Sequence, residues 1–267
     1  MSNTPILVPD RLIDSHVHLD FPQFDEDRSQ VIQRAQSVGV EALVVPGVRA
    51  SDWPRIATLC SEIVGLHACY GLHPCFCIDH QLSHLQDLSR WLERESVVAV
   101  GECGLDFSPK YVGEEALQRK YFEQQLVLAK LHGLPVVLHA RRSVDAVLKC
   151  LRQAGVHQGV MHSFSGSLQQ AKAAIDQGLH IGVGGAITYD RAKKLRAVLR
   201  SIPLDSIVLE TDAPDQPGAS HRGMRNEPSF IISVLSVLAE IRLESRLKIA
   251  EETSNNSARL FSLSRFQ

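Results

Sequence analysis

Eight short runs rich in β-branched residues, each followed by a longer amphipathic stretch, recur along the 267-residue chain. The runs lie near residues 11–18, 41–46, 64–70, 97–102, 135–140, 159–163, 180–184 and 206–211. Between them apolar residues fall at helical spacing; in "EEALQRKYFEQQLVLAKLHG" the pattern stops at Gly133. "SLQQAKAAIDQG" opens with Ser167 and Gln170 in capping-box register and ends at Gly178. Strict alternation of strand and helix implies a parallel sheet, and eight units is the number that closes a barrel. An open doubly wound sheet would place a glycine-rich phosphate turn after its first strand, whereas this chain has "DSHVHLD" there. The expectation is α/β, a single (β/α)8 barrel domain over residues 1–267.

Strand side chains alternate, so Asp14, His16, His18 and Asp20 are expected on one face, with Val17 and Leu19 on the other. Imidazoles sent into a core need partners, and a metal ion would satisfy both. Later strands stop on similar residues: Glu102 in "VVAVGECGLD", His139 in "LPVVLHARR", His162 in "GVMHSFSG", and Asp212 in "SIVLETDAP" with Glu210 one layer deeper. Each has a plain alternative. His139 or His162 alone reads as a hydrogen-bonded core histidine, Glu102 alone as an arginine's partner, and Asp212 alone as a turn cap before Pro214. Six ligand-type residues on five strand ends, at the rim where barrel active sites are built, are hard to reach by coincidence. Asp14 and Glu210 are expected to orient ring N–H groups, or else to close hydrogen bonds within the barrel.

Four histidines and two carboxylates suit Zn²⁺, Mn²⁺ or Fe²⁺ by ligand type; Mg²⁺ would take more oxygen. Six ligands exceed what one ion with an open position requires, so two divalent ions are expected, from Zn²⁺, Mn²⁺ or Mg²⁺. Two such ions lower the pKa of bound water and clamp the attacking and leaving oxygens of a phosphoester. A carboxylate such as Asp212 would then take and return the proton. Substrate contacts are expected from His73 in "GLHP", from Arg141 and Arg142 in "HARR", and from Arg225 and Asn226 in "SHRGMRNEPSF". "IGVGGAITYD" reads equally as a backbone phosphate site or as close packing of small residues. "RAKKLRAVLR" reads as a solvated helix face.

A net charge of -2 with no long basic run argues against a broad nucleic-acid footprint and leaves room for a pocket that grips a strand end. The six cysteines form no CxxC pair, and Cys75 and Cys77 are the closest two. No secretory segment follows Met1, and no apolar run is long enough to cross a membrane. The expectation is a cytoplasmic monomer with reduced thiols, with metal binding by Cys75 and Cys77 the lesser reading.

"LIDSHVHLD", "VGECGLD", "PVVLHARR", "HSFSG" and "LETDAP" together resemble the TatD family of metal-dependent hydrolases and deoxyribonucleases, over nearly the whole chain. "IGVGGAITY" and "LETDAPD" lean toward its YjjV-like branch. The resemblance implies a TIM-barrel hydrolase with a two-metal centre: His16, His18 and Asp212 on one ion, His139 and His162 on the other, Glu102 bridging. It also implies that Asp212 activates water and that DNA, bound transiently, is cleaved from an end. Ser163 stands where many relatives have cysteine, Cys103 where isoleucine is usual, and Ser143 where threonine or alanine is usual. None of these removes a ligand. Barrels with the same HxH start also hydrolyse small esters and amides, and aminoacyl-tRNA is a further ester substrate. A non-catalytic metal-binding protein is the remaining reading, disfavoured by the intact ligand set.

Overall fold

The computed structural model describes residues 11–94 and 96–263, so the ends of the expected domain lie outside the described residues. Eight strands form one parallel sheet in sequential order: β1 (Leu12–Asp14), β2 (Val40–Pro46), β3 (Leu66–Tyr70), β4 (Val97–Asp106), β5 (Val136–Arg141), β6 (Gly159–Met161), β7 (Leu179–Val183) and β8 (Ile207–Leu209). Helices α1 (Arg28–Ser37), α2 (Trp53–Glu62), α3 (Leu82–Leu92), α4 (Glu115–His132), α5 (Val144–Ala154), α6 (Leu168–Asp176) and α7 (Lys193–Ser201) make the crossovers. α8 (Ile231–Arg242) and α9 (Arg246–Leu260) follow β8. The TIM barrel read from the sequence is the fold. Gly133 ends α4 in a left-handed conformation, and Ser167 and Gln170 form the anticipated capping box on α6.

Alternation sorts the core into two layers. Ile13, Ala42, Val44, Val137, Val160 and Val208 fill the barrel, with Phe261 and Leu263 from beyond α9 packed against them. Their strand neighbours Leu12, Leu43, Val45, Leu138 and Leu209 face the helices. The seam between β8 and β1 is closed by Ser15 N–H donating to the Leu209 carbonyl at 3.0 Å and Asp212 N–H to the His16 carbonyl at 2.9 Å.

Strand limits differ from expectation at the rim. β1 stops at Asp14 and the chain bends at Ser15, so the alternation changes phase there. His16 and His18 turn inward after the bend, while Asp14 falls on the outer side with Leu12. β4, by contrast, does not end at Glu102 but runs on to Asp106. Gly104 is a strand residue whose added Cβ would lie 2.1 Å from the His139 carbonyl oxygen. β4 and β5 approach too closely there for any side chain.

Candidate metal centre

Glu102 lies buried at the barrel mouth, and its two oxygens face different histidines. Oε2 is 3.2 Å from His16 Nε2 and 3.6 Å from His18 Nε2. Oε1 is 3.0 Å from His139 Nδ1 and 3.1 Å from His162 Nε2. Asp212 Oδ1 completes the first side, 3.5 Å from His16 Nε2 and 3.6 Å from His18 Nε2. The sets His16, His18 and Glu102, and Glu102, His139 and His162, each bring their ligand atoms within 4.8 Å of one another. The six residues read from five strand ends therefore converge.

The arrangement fits a cation by its own chemistry. His18 Nδ1 lies 3.2 Å from the Pro46 carbonyl, which can only accept, so the proton sits on Nδ1 and Nε2 is bare. That bare nitrogen faces His16 Nε2 at 3.2 Å, beside two carboxylates, and His16 Nδ1 is buried without a partner. Burial drives His16 well below the ordinary histidine value and His18 down to about 4, so both rings are uncharged. Against the same desolvation, Asp106 and Glu102 hold His139 above its ordinary value, and Glu102 and Asp212 hold His162 well above. Glu102 is itself held well below the usual carboxylate range, the imidazoles of His73, His162 and His16 outweighing its burial. Burial pushes Asp212 up to about 7, and Gln216 Nε2 donates to its outer oxygen at 2.5 Å. Four imidazoles and two carboxylates aimed at a common space are a donor set for divalent metal.

A family model described as TatD related DNase matches residues 13–262. The chain belongs to the TatD family. It is 42% identical to the uncharacterized metal-dependent hydrolase YjjV of Escherichia coli K12, over 95% of this chain and 98% of that protein. The YjjV crystal structure superimposes with a TM-score of 0.92, covering 95% of this chain and 99% of that one. A TatD protein of Erwinia tasmaniensis described as a 3'-5' ssDNA/RNA exonuclease is 32% identical, over 94% of this chain and all of that one (100%). The chain is thus a metal-dependent hydrolase of this family.

Around this TatD-family centre, the other expected site residues divide. Glu210 stands behind His162, its Oε1 at 3.5 Å from Nδ1 and accepting from Ser163 N–H at 2.6 Å. Gly182 on β7 leaves the space for it, since a Cβ there would meet Glu210 Oε2 at 2.4 Å. Asp14 touches no imidazole nitrogen. It accepts from the Thr211 hydroxyl at 2.6 Å and from the Thr211 and His16 backbones, pinning the segment after β8 to β1, since it precedes the bend at Ser15 that turns His16 and His18 inward. His73 is buried beside Glu102. Its Nδ1 accepts from Cys75 N–H, so Nε2 carries the proton and donates to Glu102 Oε1 at 3.1 Å.

Arg141 and Arg142 are exposed at the end of β5. Arg225 is instead committed to Asp27 through two bonds of 2.8 and 2.7 Å and to the Gln23 carbonyl. Asn226 is buried and donates to the carbonyls of Thr211 and Asp215 at 2.7 and 2.8 Å. Both of these residues, expected to bind substrate, tie down the loop after β8. Cys75 and Cys77 do not share a target: Cys75 Sγ lies 3.5 Å from Asp106 Oδ2 and Cys77 Sγ 3.1 Å from Glu114 Oε2. Gly185 in the glycine-rich segment is close packing, for a Cβ there would sit 2.4 Å from the Gln216 carbonyl. The sequence reading missed Asp106, whose Oδ2 is 3.1 Å from His139 Nε2. Its signal was present, since residues 102, 104 and 106 share one strand face.

Proposed function

We propose that this chain is an exonuclease-like phosphodiesterase acting on single-stranded DNA, with two divalent ions held on either side of Glu102. The observation that carries the reading is the division of labour at that carboxylate: Oε2 toward His16 and His18, Oε1 toward His139 and His162. The first ion would be held by His16, His18, Asp212 and Glu102, the second by His139, His162 and Glu102. Such a pair supplies Lewis acidity and acidified water for attack on phosphorus.

The chain's own residues do the remainder. Asp212, its outer oxygen fixed by Gln216 and its inner oxygen facing the histidines, accepts the proton of the attacking water and returns it to the leaving oxygen. His73, with its tautomer set by Cys75 N–H, holds Oε1 of Glu102 in place through Nε2–H. Arg141 and Arg142 stand beyond His139, where guanidinium groups can meet a substrate phosphate. The choice of DNA rests on the exonuclease description of the Erwinia relative, and attack at a strand end accords with the net charge of -2. We place the protein as a monomer in the cytoplasm, with Zn²⁺, Mn²⁺ or Mg²⁺ as the ions.

The test is nucleotide release from labelled single-stranded DNA by metal-stripped protein reloaded with Mg²⁺, Mn²⁺ or Zn²⁺, beside Asp212→Asn. Metal-dependent release that disappears in the variant is the expected result. Folded, metal-loaded protein that releases nothing would overturn the DNA reading and direct the same preparation to small esters, amides and aminoacyl-tRNA.

A further inference from the structure

Asp106 takes no part in the reaction just described, yet it is 1% exposed and fixed on every side. Its Oδ1 accepts from Ser108 N–H at 2.8 Å. Its backbone is clamped by one buried side chain of α4: Gln118 Oε1 accepts from Asp106 N–H at 2.8 Å, and Gln118 Nε2 donates to the Asp106 carbonyl at 3.0 Å. The remaining oxygen, Oδ2, is aimed at His139 Nε2, with the Cys75 thiol on the same atom. A carboxylate held this rigidly can dictate which nitrogen of the facing ring carries the proton.

We propose that Asp106 is the positioning residue for His139, and that through it Asp106 sets the affinity of the second ion without touching the first. With Nε2–H given to Asp106, the lone pair of Nδ1 is turned toward Glu102, 3.0 Å away, where the second ion would lie. The effect is confined to that side. His18 takes its tautomer from the Pro46 carbonyl, Asp212 is oriented by Gln216, and His162 has Glu210 behind it; none of them bonds to Asp106. The inference rests on the two-ion reading and deepens it, by naming what keeps one of the two ligand sets in order.

The test is a Mn²⁺ titration of metal-stripped protein at a pH above the histidine range, followed by competition with a chromophoric chelator. Wild-type protein should show two binding events. Asp106→Ala should weaken one of them by about 10- to 100-fold, the usual cost of losing an outer-shell partner, and leave the other unchanged. His139→Ala should strike the same event, and adding Asp106→Ala to it should cost nothing further, because the carboxylate acts only through that ring. Asp106→Asn, which keeps an acceptor oxygen but loses the charge, should fall between wild type and Asp106→Ala. Equal weakening of both events, or losses in the double variant that simply add, would mean a general structural role and overturn the inference. A single event in wild type would overturn the two-ion reading itself, a different and recognisable failure.

Discussion

The two sides of Glu102 use the same residue type and support it in opposite ways. On the β1 side, His18 is backed by a neutral carbonyl and His16 Nδ1 by nothing, and burial leaves both rings uncharged. On the β5–β6 side, His139 and His162 are each backed by a buried carboxylate, Asp106 and Glu210, and both are held above the ordinary value. The difference teaches how one residue type is held against two kinds of wall: burial decides the charge on the β1 side, whereas buried carboxylates behind the rings favour an added proton on the other.

Glu102→Gln is the widest test, since this carboxylate touches both sides. Hydrolysis should fall by more than about 100-fold, beyond the loss of an outer partner, with metal content falling on both sides. If only one ion were lost, Glu102 would belong to one side and the comparison would break.

A second test uses pH on metal-free protein. His139 and His162 bind protons more tightly folded than unfolded, and so does Asp212, raised to about 7. Their contribution is therefore complete below the unfolded value and lost as pH rises through the folded one. The histidines' share goes as pH climbs above 6.5, so the thermal midpoint of metal-free protein should fall there, while saturating Mn²⁺ should offset the fall. A midpoint that rises over that interval would contradict the proton-held side.

Smaller effects sharpen the β1 side, which is braced by the loop after β8. Asn226→Ala leaves the buried carbonyls of Thr211 and Asp215 without their donor and should cost about 1–3 kcal/mol in chemical denaturation. It should also loosen the ion nearer Asp212 and spare the other. Arg225→Ala removes a partly exposed ion pair to Asp27 and should cost no more than about 1 kcal/mol, with KM unchanged.

The barrel was legible because each strand–helix unit carries its own periodicity and its own stop signal, as Gly133 and Ser167 do. The convergence of His16, His18, Glu102, His139, His162 and Asp212 was legible because each closes an apolar run. The bend at Ser15 was not, for Val17 and Leu19 continue the alternation of a strand although the ladder has ended. The pairing of Arg225 was not legible, because its partner Asp27 lies 198 residues away, and the tie of Asn226 to the Thr211 and Asp215 carbonyls depends on how the loop after β8 turns back on itself. Asp106 was hidden by Gly104, which serves a close approach of strands and looks in one dimension like a turn.

Gly182 contributes no donor, no charge and no contact of its own side chain, yet the room it leaves is where Glu210 stands behind His162. In a saturating mutational scan it should score with the ligands, as intolerant as any histidine of the centre. A map of function drawn from such a scan would mark β7 as active, and what it would be detecting is room the size of one methyl group, lent to Glu210.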